Sequence, residues 1–141
     1  MSDKLNELLN KLEESVGNDD FIDNSYDIID EIEERDDAFD AVEPILRIIE
    51  KNPDADFGKP GPLVHFVERF YKMGYEEQLV ESLKRCPTKY TLWMLNRIIN
   101  DSKGDRKVYF INILNNIISN SNIDNEVLLL AKHFIELQNR V

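Results

Sequence analysis

Apolar side chains return every three or four residues along almost the whole chain, and this period limits its folding more than any other feature. Leu5, Leu8, Leu9, Leu12 and Val16 follow it behind Ser2, a natural cap, so a first helix should run to about Ser15 and stop near Gly17-Asn18. Asn18 to Asp20 offers a fresh cap. From Asp20 to Glu34, Phe21, Ile28, Ile29 and Ile32 share one side of a helical wheel, while strict alternation fails. A third segment, from about Asp36 to Lys51, turns Phe39, Val42, Ile45, Leu46 and Ile49 inward. Pro44 either kinks it or starts a new piece after Val42.

Residues 52–62 hold three of the five prolines and two of the five glycines, and predict one long irregular connection with Pro62 in the first turn beyond it. The helix entered there carries Leu63, Phe66, Val67 and Phe70 inward and is expected to end at Gly74. Tyr75 to Arg85 should form a short helix closed by Cys86-Pro87, and Thr88 caps another that runs to about Asp101. Val108 to Ser119 presents Phe110, Ile111, Leu114, Ile117 and Ile118. Asp124 caps a last helix with Val127, Leu130, Ala131, Phe134 and Leu137. The expectation is an all-α fold of about eight amphipathic helices, neighbours antiparallel because their links are short. Asp40 to Asp54 resembles the first helix of a HEAT repeat in its apolar spacing and its proline. An irregular HEAT-like α-solenoid is therefore the first architecture and a compact helical bundle the second.

A chain of 141 residues suits a single domain, 1–141, with one core. With 42% hydrophobic and 32% charged residues it is neither low-complexity nor wholly disordered. No apolar run approaches the ~18 residues of a membrane span, and the N-terminal stretch lacks the basic, apolar, small-residue order of a signal peptide. The cytoplasm is the expected address. Cys86, the one cysteine, can form neither an internal disulfide nor a thiol pair for zinc.

The net charge of −11 is concentrated. Between Glu13 and Glu43 fourteen Asp and Glu face one Arg, Arg35, a local charge of −13, and the rest of the chain carries +2. Such a field repels nucleic acid and anionic lipid and draws in cationic surfaces. On the second helix Asp20, Asp23, Asp27, Asp30, Glu31 and Glu34 fall within about 100° of one another, opposite Phe21, Ile28 and Ile32. These acids make six like-charge pairs at i,i+3 or i,i+4, each costing ~0.2–0.5 kcal/mol. The stripe is either a solubilising face or a docking face for a basic partner. Asp36, Asp37 and Asp40 extend it. A calcium site fits poorly, since the carboxylates ride a helix and not a Gly-containing loop.

On the Thr88-capped helix Leu92, Met94, Leu95, Ile98 and Ile99 spread over about 160°, leaving Trp93, Asn96, Arg97 and Asn100 together on the remaining face. Trp93 and Arg97 are residue types that anchor interfaces; alternatively Trp93 covers an inter-helix groove while Asn96 and Arg97 bond loop carbonyls. His65/Glu68 and His133/Glu136 have a spacing that could serve a metal, but both pairs fall on the polar side of their helices, so no metal is expected. Cys86 follows Lys84-Arg85 without a base or an orienting partner, and no P-loop, GxGxxG, GxSxG or HExxH occurs. Neither an enzyme nor a cofactor is expected.

Phe57-Gly-Lys-Pro-Gly-Pro-Leu-Val-His-Phe-Val-Glu-Arg-Phe70 and Pro87-Thr-Lys-Tyr-Thr-Leu-Trp-Met-Leu-Asn-Arg-Ile-Ile-Asn100 resemble the helical immunity proteins encoded beside bacterial contact-dependent and other polymorphic toxins. The resemblance covers about residues 50 to 100. It implies a monomeric inhibitor that neutralises a cognate toxin, commonly an RNase or DNase, as a 1:1 complex, with no catalytic residues. Independently, an acidic helix matches the basic cleft of such a toxin. The rival expectation is a HEAT-like adaptor with an apolar groove for a helical peptide or a protein partner.

Overall fold

The computed structural model describes residues 2–120 and 122–140. Among them stand eight α-helices and no strand: α1 Asp3–Glu14, α2 Phe21–Glu33, α3 Val42–Lys51, α4 Gly61–Glu68, α5 Tyr75–Arg85, α6 Lys89–Asn100, α7 Gly104–Ile118 and α8 Asn125–Asn139. A 3-10 turn, Ala38–Ala41, precedes α3. No helix among the described residues is long and apolar enough to cross a membrane. The packing forms two compact units, one up to Gln78 and one from Leu79, with the boundary inside α5.

In the first unit α2 packs on α1 and α4, and α3 on the same two helices. The apolar stripes meet there: Leu5 and Leu12 of α1, Ile32 of α2, Ile45, Leu46 and Ile49 of α3, and Leu63 and Phe66 of α4 are fully buried. Each such side chain contributes ~1.5–3 kcal/mol relative to exposure. Phe57 pins the long connection by burying its ring edge-on to Phe21, centroids 5.6 Å apart. Gly58 is required at φ +102°, because a Cβ there would stand 2.5 Å from the Gly61 Cα.

The second unit is built round α6, which packs on α7 and α8, while those two pack on each other. Tyr90, Leu92, Met94, Leu95, Ile98 and Ile99 are buried, as the wide apolar arc of this helix requires. Its start is fixed by a capping box: the Thr88 hydroxyl accepts the Thr91 N–H at 3.2 Å and the Thr91 hydroxyl accepts the Thr88 N–H at 2.9 Å.

Several boundaries differ from expectation for physical reasons. Pro44 lies in the first turn of α3, so the segment from Asp36 becomes a 3-10 turn followed by a new helix at Val42. Phe39, expected inward, is 36% exposed. α4 ends at Glu68 instead of Gly74, because the following residues form tight turns in which Lys72 takes φ 63° and gives its N–H to the Glu76 carboxylate at 2.8 Å. α7 starts at Gly104, four residues before Val108, since its first turn, Asp105-Arg106-Lys107, is polar and carries no apolar period. On α8 Leu137 is 36% exposed, and Gln138 takes the inward place at 7%.

Candidate functional site

Burying Phe21, Ser25, Ile29 and Ile32 turns the opposite side of α2 outward. Asp20, Asp23, Asp27, Asp30, Glu31 and Glu34 are all exposed there. Among the described residues none of the six carboxylates forms an ion pair. The neighbouring acid off this stripe, Glu33, does: Arg69 Nη1 lies 3.0 Å from its Oε1. Arg69 is thus engaged beside the ridge and not on it.

The extension beyond the helix is less uniform. Asp36 and Asp40 are exposed. Asp37 is held in a clasp: Arg35 Nε donates to its Oδ1 at 2.7 Å, the Ser2 hydroxyl donates to its Oδ2 at 3.1 Å, and Arg35 Nη2 donates to the Ser2 Oγ at 2.9 Å. The Arg35 hydrogen bond holds the Asp37 carboxyl below the usual carboxylate range, with the Ser2 bond assisting and partial burial opposing. Asp37 therefore has an internal role, joining the cap of α1 to the chain beyond α2, and the open ridge is the α2 face with Asp36 and Asp40.

Trp93 and Arg97 belong to the second unit. Trp93 is half-buried with its ring edge-on to Tyr90, centroids 5.6 Å apart, and Arg97 is exposed. Asn96, expected to bond a loop carbonyl, instead pairs with α8: its side-chain oxygen and that of Asn100 accept the two N–H groups of Gln138, at 2.9 and 2.7 Å. That face is in large part the seat of α8. His65 and His133 are exposed, and among the described residues no group of three His, Cys, Asp or Glu is placed to hold a metal.

A groove of about 390 Å³ runs between α1 and α3, lined by buried Leu9 and Ile48 and by two ion pairs, Arg47–Glu43 at 3.3 Å and Lys51–Glu13 at 3.4 Å. Those charges make it a poor match for the apolar trough an adaptor would need. The first unit also exposes apolar side chains not anticipated from the sequence: Tyr26 at 47%, Phe39 at 36% and Met73 at 67%. Tyr26 could have been found, since it falls off the apolar stripe of α2; Phe39 and Met73 could not, because both depend on how the turns at 38–41 and 69–74 are folded.

The chain matches no protein-family model, no curated protein and no solved structure.

Proposed function

We propose that this protein is an immunity-type inhibitor that neutralises a basic toxin domain, of the RNase or DNase kind, by stoichiometric occlusion of its nucleic-acid cleft. The carrying observation is the outer face of α2, where six exposed carboxylates have no cationic partner among the described residues. An exposed row of like charges costs folding energy, and a cationic surface that seats on it returns that energy on binding. The resemblance of residues 57–70 and 87–100 to helical immunity proteins supports the same reading. The field repels nucleic acid, so a protein is the partner that fits.

The reading predicts a basic toxin domain encoded beside this gene, and the test is association with that domain across a salt series. Wild-type association should be fast at low salt and slow as salt rises, because steering is worth ~10–10³ in rate. Asp23→Lys, Asp27→Lys and Glu31→Lys together should start slow, respond little to salt and fail to protect cells. The fold should survive, since all three side chains are exposed. Wild-type rates and full protection in the triple variant would refute the proposal.

A further inference from the structure

At the end of the acidic ridge the first unit carries an aromatic ledge. Phe66 is fully buried, Phe70 stacks edge-on to it at 5.4 Å, and Phe39 stacks edge-on to Phe70 at 5.3 Å, so a ladder of three rings climbs from the core to Phe39, a residue 36% exposed. The main chain at Gly74 closes on this ring: a Cβ there would stand 3.3 Å from the Phe39 Cζ. Met73, which precedes Gly74 in the chain, is 67% exposed. A ring supported in this way loses little freedom on binding, which is what an interface anchor requires.

The charge around the ledge is specific. Asp36 and Asp40 are exposed beside Phe39 in the chain. The nearby cations are occupied: Arg35 by Asp37, Arg69 by Glu33, and Lys72 with its ammonium 5.5 Å from the Tyr71 ring centroid. An apolar ring rimmed by open carboxylates suits a group that is flat, partly apolar and cationic. Arginine meets this description better than lysine, because its guanidinium stacks on an aromatic face while its N–H groups reach carboxylates. We infer that Phe39 is the anchor that receives an arginine of the cationic protein seated on the α2 ridge. This rests on the reading under Proposed function and adds to it the partner side chain and its seat.

The experiment uses an oligoarginine and an oligolysine peptide of equal length as probes, titrated onto the full chain. The wild type should bind oligoarginine about two- to five-fold more tightly than Phe39→Leu does, with oligolysine unchanged, since a cation–π contact at an exposed site is worth about that factor. Phe39→Tyr, which keeps the aromatic face, should retain the wild-type preference. The Asp23→Lys, Asp27→Lys, Glu31→Lys variant should weaken both peptides and keep the ratio between them. An arginine preference that survives Phe39→Leu, or a wild type with no preference, overturns the ledge and leaves the ridge reading standing. A triple variant that binds each peptide as tightly as the wild type does overturns the ridge reading instead. A wild-type dimer in sedimentation that Phe39→Leu dissociates would show that a second copy covers the ring, and would also overturn the inference.

Discussion

The two units of this protein have the same kind of core and opposite charge. Up to Gln78 the chain carries eight basic against 22 acidic side chains, a net −14; from Leu79 it carries nine against six, a net +3. Both are helical units whose apolar stripes are buried, so the fold does not require the asymmetry. Surface charge is a separate variable, and in the first unit it is set against stability. The second unit uses polar groups differently, pairing them with one another: buried Thr88 with buried Thr91, and buried Gln138 with half-buried Asn96 and exposed Asn100.

The sharpest way to break the comparison is to remove the Gln138 pairing. Gln138 is 7% exposed, and its amide gives one hydrogen to each of two Asn oxygens on α6. Gln138→Leu keeps most of the volume and leaves both acceptors without their donor. A loss of ~1–3 kcal/mol in urea unfolding is expected. No loss would mean that apolar contacts alone hold α8 on α6, and the contrast between the units would reduce to charge.

How far such features could be read from sequence follows from the range of the forces involved. The apolar period marked all eight helices because a stripe must face a core whatever the core is, and Ser2, Thr88 and Asp124 accept N–H groups of Leu5, Thr91 and Glu126 as the cap pattern implied. Local patterns failed where tertiary packing decides. Gln138 and Leu137 exchange expected places because the Asn pair on α6 offers a better partner to an amide than to a methyl group. Asp37 looked like any other acid of the run until the fold brought Ser2, 35 residues away, to its side. The outward ridge was legible, being a property of one helix; the Phe39 ledge was not, since it needs two separate turns to meet.

A smaller effect tests the cost assigned to the first unit. Asp27 has like-charged neighbours at Asp23, Asp30 and Glu31, all exposed. Asp27→Asn relieves three repulsive pairs of ~0.2–0.5 kcal/mol each and should stabilise the protein by about 0.5–1.5 kcal/mol at low salt. The gain should shrink as salt screens the wild-type ridge. No equivalent gain is open to the second unit, whose charges are mixed. Stabilisation together with slower association with the proposed toxin partner would mark a surface that gives up stability for binding.

The smallest effect separates Asp37 from the acids around it, and acid titration is the way to see it. Its carboxyl is held below the ordinary range by Arg35, so in the folded protein it stays ionised at a pH where the unfolded chain takes up a proton. The stability it contributes is fully present above the unfolded Asp value of ~3.9 and is lost as pH falls through the lowered folded value. Comparing wild type with Asp37→Ala isolates this contribution, because both chains carry the same other acids. The Tm of the variant should be lower by a small, constant gap from pH 7 down to about 5, and the gap should close as the pH drops below ~3.9. A gap that remains at full size in strong acid would show that the clasp works through the Ser2 cap of α1 and not through the charge on Asp37.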